Sequence, residues 1–282
     1  MPFDPVAFKA STRAQWDGVA ESWNAWGGLL DRWLGPATEA LLDMCHVGTG
    51  SRVLHVAGGS GQEALQTARR VGRSGRVVTT DISEALTELA RSNLEREGVS
   101  WAEAHVMDGE EITAEKDAFD AVISRVGLIF FPDQLGSVRA QRAALKPGGY
   151  VGALVYATPA ECRFFSDPVA IIRRHAGLAP PARGMPGPFS LGQPGDIEAL
   201  FETAGLSDIQ VRKIEAPVIL DSARDCLRFE KESFGALHQM LDGLDIEAKE
   251  AAWGEVERAL GAFEQDDHFV GPCTMIAACG RR

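Results

Sequence analysis

Two rhythms of apolar and polar positions alternate along the chain. Short, nearly continuous apolar runs occur at Arg52–Val56 (through Val53, Leu54 and Val56), Arg76–Thr80, Trp101–Met107, Phe119–Ser124 and Tyr150–Tyr156. Each has the length and β-branched content of a buried strand. Between them apolar residues recur three and four positions apart. Gln62–Ala68 is helix-compatible, Glu84–Arg96 carries Leu86, Leu89, Ala90 and Leu94 on one face, and Gln134–Leu145 runs into the turn Lys146-Pro147-Gly148-Gly149. Strands alternating with helices predict an α/β fold, a doubly wound and mostly parallel sheet whose ligand sits at the strand C-termini.

The flanks are helical by pattern. Ser11 and Thr12 are candidate caps for a helix carrying Trp16, Val19, Trp23 and Trp26, interrupted at Gly27-Gly28. Leu29, Leu30, Trp33 and Leu34 continue to a break at Gly35-Pro36, and a third helix spans Ala37 to Met44. Past the fifth strand, Thr158–Leu178 carries Phe164, Phe165, Ile171 and Ile172, and Ala179–Pro188 reads as a surface connection or lid hinge. Asp196–Ala204 is helical, Asp208–Leu220 a sixth strand, Ser222–Phe263 a mostly helical insertion, and Phe269–Cys279 a last strand. The boundaries predicted are a helical cap segment over residues 1–46 and a main domain over 47–282, with helical insertions at about 158–195 and 222–266.

Composition narrows the classes. The 282 residues are 45% hydrophobic and 24% charged, as in ordinary globular proteins, and the net charge is −12. An acidic chain argues against nucleic acid as a main partner, because phosphate binding needs a basic surface. Cys45, Cys162, Cys226, Cys273 and Cys279 are odd in number, scattered and without CxxC spacing, which predicts no zinc ribbon, no metal site and no disulfide framework. A reducing cytoplasm is the default expectation. Met1-Pro2-Phe3-Asp4-Pro5 lacks the basic-then-apolar pattern of a signal peptide. No apolar run approaches the ~20 residues that span a bilayer.

Chemistry concentrates after the first strand. Ala57-Gly58-Gly59-Ser60-Gly61 leads from Arg52–Val56 into a helix N-terminus. Glycines let backbone approach a ligand, and free N–H groups of a first helical turn face a carboxylate or phosphate. Dinucleotide and S-adenosylmethionine folds both use such a cradle, and a purely structural turn reads the same way. Asp81 stands at the tip of the second strand, 20 positions after Gly61. Its two carboxylate oxygens suit a ribose diol, although Asp81-Ile82-Ser83-Glu84 also reads as a helix start. Asp108-Gly109 follows the third strand, where a carboxylate could take an adenine amino group with Met107 against the ring. The alternative is a turn-forming pair. Trp16 and Trp23 are candidate pocket walls, and Arg125 and Arg183 candidate partners for an anionic substrate group. Tyr156, His175, His238 and His268 lie at or beside the cap, Tyr156 and His175 as further substrate-pocket candidates, and each is more in keeping with a structural or surface role than a catalytic one, so no catalytic residue is assigned.

Taken together, Val53-Leu54-His55-Val56-Ala57-Gly58-Gly59-Ser60-Gly61, Asp81, Asp108, Phe119-Asp120-Ala121-Val122 and Leu145-Lys146-Pro147-Gly148-Gly149 resemble class I S-adenosylmethionine-dependent methyltransferases. Within them the chain looks most like the ubiquinone/menaquinone C-methyltransferase (UbiE-like) group, whose glycine loop often reads Ala-Gly-Gly-Thr-Gly. The similarity covers about Trp16 to Gly205 and a C-terminal end. It implies a seven-stranded sheet with the last strand antiparallel and S-adenosylmethionine as cofactor. It places Ala57 to Gly61 along the methionine and ribose, Asp81 on the ribose, Ile82 and Asp108-Gly109 at the adenine, and Ser124 at the methyl end. His55 stands where the family usually has an acidic residue near the cofactor's amino group, and a charged imidazole there would repel it. Gly58 replaces a cysteine common in related loops.

The implied function is methyl transfer to carbon or oxygen of a small hydrophobic acceptor, by in-line displacement under an apolar cap. The other readings are an NAD-dependent oxidoreductase, from Gly59–Ala64 and Asp81, and a non-catalytic S-adenosylmethionine-binding protein, from His55. Oligomeric state is open, a homodimer included.

Overall fold

The computed structural model describes residues 3–182 and 184–282. Helices α1 (Pro5–Ala25) and α2 (Gly27–Met44) lead into β1 (Arg52–Val56), α3 (Gln62–Val71), β2 (Arg76–Asp81), α4 (Glu84–Arg96), β3 (Ala102–Val106) and β4 (Phe119–Arg125). A 3-10 turn at Leu128–Phe130 precedes α5 (Gln134–Ala144), β5 (Leu145–Tyr156), α6 (Arg163–His175), α7 (Asp196–Thr203) and β6 (Ser207–Glu215). The chain closes with β7 (Val218–Leu220), α8 (Ala223–Ser233), α9 (Gly235–Leu241), α10 (Ile246–Leu260), β8 (Phe269–Gly271) and β9 (Thr274–Arg281).

The described residues form a seven-stranded sheet in the order β3-β2-β1-β4-β5-β9-β6. Its pairs are parallel through β5, and β9 lies antiparallel between β5 and β6. Burial explains why β1 and β4 read as apolar runs. Helices cover both sheet faces, so Val53, Leu54, Val56, Ala121, Val122 and Ile123 are all fully buried. The order changes direction at β1 and β4, and a crevice opens there at the strand C-termini.

Three expectations are corrected. The first helix begins at Pro5, not at Ser11, because the Asp4 side chain accepts the N–H groups of Val6 and Ala7. Gly35-Pro36 is not a break: α2 runs through Pro36. The bond a proline loses is offset by burial of Leu34, Gly35 and Ala37. The sixth and last strands each divide at a proline. Pro217 separates β6 from β7, and Pro272 separates β8 from β9. β7 and β8 peel off together as a two-stranded antiparallel ribbon that brackets α8 to α10.

Candidate functional site

A cavity opens at the C-terminal ends of β1, β2 and β4, beneath α1. Counted out to its open mouth it measures ≈ 850 Å³. Its floor is Ala57, Gly58 and Gly59, one end is Asp81, Ile82, Leu86, Met107, Asp108 and Gly109, and its roof includes Trp16, Trp23 and Phe130.

The floor depends on a turn few side chains would allow. Ala57 has φ 58° just past β1, and Val126 has φ 50° just past β4. A left-handed β-branched residue costs on the order of 1–3 kcal/mol, and such strain concentrates at ligand sites. Gly58 donates its N–H to the Thr80 carbonyl, and a Cβ added there would lie 2.0 Å from Thr79 Oγ1. Gly58→Ala therefore requires the buried Thr79 side chain or the loop itself to shift. Expected are a loss of about 1–3 kcal/mol in denaturant unfolding and markedly weaker ligand binding by calorimetry. At Gly109 a Cβ would lie 2.5 Å from Phe131 Cζ and 2.7 Å from Val56 Cγ1, so backbone there packs directly under the cavity wall.

Asp81 anchors the loop at its far end. Its Oδ2 accepts the Gly59 N–H and its Oδ1 the Ser83 N–H, both at 2.9 Å. Burial raises its carboxyl to about 6 from an ordinary 3.8, against the pull of the Ser83, Gly59 and Ile82 backbone donors, and the Glu63 charge adds to the rise. A carboxylate can accept about four hydrogen bonds, so acceptor capacity remains for a ligand.

A buried ionic cluster also borders the cavity. Glu63, in the first turn of α3, places Oε1 3.0 Å from His55 Nδ1 and Oε2 3.0 Å from Arg125 Nε. His55 Nε2 lies 3.0 Å from Thr67 Oγ1. Glu63 and Arg125 line the cavity, whereas His55 is buried behind Glu63. His55, expected beside the cofactor's amino group, does not line the cavity and instead meets a carboxylate of this chain. The helix N-terminus favours that charge as well.

Of the other residues singled out above, Ala57, Gly58, Gly59, Asp81, Ile82, Met107, Asp108, Gly109, Trp16, Trp23 and Arg125 meet around the cavity. Ser60, Gly61 and Ser124 do not line it. Gly61 caps α3, Ser60 Oγ donates to Gln62 Oε1, and Ser124 Oγ accepts the Leu128 N–H. Tyr156 is buried off the wall, stacked on Trp33 and Phe165. His175 ends α6, with Nε2 2.9 Å from Glu255 Oε2. His238 Nε2 is 2.7 Å from the Lys231 carbonyl, and His268 pairs with Asp267. Arg183 lies outside the described residues. The four N-terminal tryptophans divide by role: Trp26 Nε1 donates to Glu232 and Trp33 Nε1 to the Ala216 carbonyl, both in packing positions.

Sequence reasoning missed Glu63, Lys9, Phe130 and Phe131. Lys9 Nζ reaches Asp108 Oδ2 at 2.7 Å and Glu110 Oε2 at 2.5 Å, pinning α1 over one end of the cavity. Asp17 accepts from Ser83 Oγ at 2.6 Å along the same helix. Lys9→Ala should cost little stability, about 0.2–1 kcal/mol, because the pair is partly exposed. It should weaken the cavity's ligand several-fold and raise proteolysis within Pro5–Ala25, which limited digestion reads directly.

Among the described residues no three His, Cys, Asp or Glu side chains group as a metal site requires, and no helix is long and apolar enough to cross a membrane. Residues 37–171 match the ubiE/COQ5 methyltransferase family. A ubiquinone/menaquinone biosynthesis C-methyltransferase of Idiomarina loihiensis is 34% identical over 119 residues, 42% of this chain and 47% of its own length. The chain thus spans about half the length of the curated relatives it matches. Among solved structures, the YcgJ protein of Bacillus subtilis aligns with TM-score 0.60 at 16% identity, over 88% of this chain and 98% of its own. Phosphoethanolamine N-methyltransferase 2 of Haemonchus contortus, solved with phosphomonomethylethanolamine and S-adenosylhomocysteine, aligns with TM-score 0.56 at 19% identity, over 92% of this chain and 57% of its own. The likeness to the ubiE/COQ5 methyltransferase family thus lies over residues 37–171, on a Rossmann-like fold shared with these solved structures.

Proposed function

We propose that the protein is an S-adenosylmethionine-dependent methyltransferase acting on a small hydrophobic acceptor. The observation that carries this reading is the convergence on one cavity of a glycine floor that admits no side chain at Gly58, a buried carboxylate at Asp81 and an apolar end at Ile82, Leu86 and Met107. These match a ribose diol flanked by an adenine ring. When bound, S-adenosylmethionine supplies a sulfonium-activated methyl group.

The chain's own part is binding, alignment and exclusion of water. Asp81 accepts hydrogen bonds from the ribose hydroxyls. Ile82, Leu86 and Met107 cover the adenine, and Asp108, held by Lys9 and the Glu110 N–H, presents its remaining acceptor sites to the exocyclic amine. Glu63 and Arg125 offer opposite charges to the ammonium and carboxylate of the methionyl group. Trp16, Trp23 and Phe130 pack edge to face above the cavity and keep water from the transfer. The finer elements, a small hydrophobic acceptor and a cytoplasmic setting, are supported by the apolar roof and the five unpaired cysteines.

Parallel calorimetric titrations with S-adenosylmethionine, S-adenosylhomocysteine and NAD(H) test this reading. Binding of the first two at micromolar Kd without NAD(H) supports it. Binding of NAD(H) alone overturns it in favour of an oxidoreductase.

A further inference from the structure

The insertion carries a feature that the proposed cofactor leaves unused. Glu230 on α8 is fully buried, and neither carboxylate oxygen has a hydrogen-bond partner among the described residues. Ser233 Oγ, one turn further along, is also buried and unpartnered. A buried carboxyl without donors is costly and ordinarily selected against in a helix that could carry leucine there. The cations near it in the chain are engaged elsewhere. Arg228 lies over the Trp26 ring and pairs with Asp225, and Lys231 lies over the Trp253 ring. Arg125 is held by Glu63.

The surroundings are aromatic and adjoin the cavity. Phe234, four residues on from Glu230, is 4.5 Å from Phe165 and 5.3 Å from Phe229 by ring centroids. Phe165 stacks on Tyr156 at the end of β5, and Glu230 is among the groups that, with burial foremost, hold the Tyr156 hydroxyl well above its ordinary range. Phe234 also packs edge to face on Trp23, which lines the cavity. α8 thus reaches the cavity wall through Phe234 on Trp23, on the side of the sheet where β5 ends.

We propose that Glu230 and Ser233, on the helix that ends at Phe234 against Phe165 and Trp23, anchor a protonated amine on the methyl acceptor, which enters past Phe234. The inference rests on the methyltransferase reading for the word acceptor. The missing partner of two carboxylate oxygens and a hydroxyl is a group rich in donors. An ammonium brings three, whereas a hydroxyl brings one and an anion none. Aromatic faces add cation–π attraction, and a chain of net charge −12 draws cations toward it.

The test uses 2-phenylethylamine and its neutral near-isostere 2-phenylethanol as probes, titrated into wild type, Glu230→Gln and Glu230→Leu, with and without S-adenosylhomocysteine. Wild type should bind the amine at least 10-fold more tightly than the alcohol, and both variants should lose that preference. Glu230→Leu should melt above wild type and keep its affinity for S-adenosylhomocysteine, so the loss cannot be ascribed to misfolding. Equal binding of the two probes, binding of neither, or a preference that survives in both variants overturns the anchor. Failure of S-adenosylhomocysteine itself to bind wild type would instead count against the methyltransferase reading, and the two failures are read from separate titrations.

Discussion

Asp81→Asn is expected to weaken S-adenosylhomocysteine binding by about 10- to 100-fold, the range for losing charge-assisted hydrogen bonds to a buried carboxylate. The amide keeps one oxygen for the Gly59 or Ser83 N–H but turns an NH₂ toward the other donor, so the loop as well as the diol loses a partner. The effect has a pH signature. In the free protein the Asp81 carboxyl holds its proton to about 6, against 3.8 when unperturbed. Ribose hydroxyls bind best to the ionised form, so wild-type affinity should rise about tenfold from pH 5 to pH 7 and then level off. The asparagine variant should show no such rise. Stability of the free protein moves the other way. The folded state retains a proton that the unfolded chain gives up near 3.8, so this group's contribution falls as pH climbs from about 4 to 6 and is constant above that. Binding and folding therefore place opposite demands on one carboxylate, a conflict expected of a ligand site and not of a helix cap.

Glu63→Ala should be the most destabilising single change in the site. It leaves the Arg125 guanidinium buried without its carboxylate, together with an imidazole that has lost its Nδ1 partner. Breaking one partner out of a buried ion pair costs about 3–5 kcal/mol, readable as a lower midpoint in urea at unchanged m-value. Glu63→Gln should cost less, because the amide oxygen still accepts from Arg125. His55→Asp alone sets a second carboxylate against Glu63 and should destabilise. Combined with Glu63→Gln it should recover much of that loss, since one acid then faces Arg125's neighbourhood in place of two. Non-additivity of the pair is the readout.

The strand runs were legible because a parallel sheet covered on both faces leaves polar residues nowhere to go. Arg52–Val56 and Glu84–Arg96 appear with the bounds the pattern predicts. Asp81 was legible because a strand tip, a glycine turn and fixed spacing put it at the cavity wall beside the Gly59 N–H. Glu63 was not. The sequence shows an imidazole at a position usually acidic, but its partner sits on the next element, and their meeting depends on how tightly the Ala57–Gly61 turn folds α3 back on β1. A first-turn glutamate facing inward was the available signal. Lys9, Phe130 and Phe131 reach the cavity only through tertiary packing, with Lys9 99 positions away from its partner Asp108. Pro36 was misread because burial around it outweighs a local helix-breaking preference. Pro217 and Pro272 were passed over although each splits a strand as proline ordinarily does.

The most direct measurement is a calorimetric cycle with S-adenosylhomocysteine and its 2′,3′-dideoxyribose analogue against wild type and Asp81→Asn. If Asp81 holds the ribose, wild type prefers the natural nucleoside by about 10- to 100-fold, and the variant binds both with the same weak affinity. Equal affinity of wild type for the two compounds, or an undiminished preference in the variant, would contradict the site assigned here.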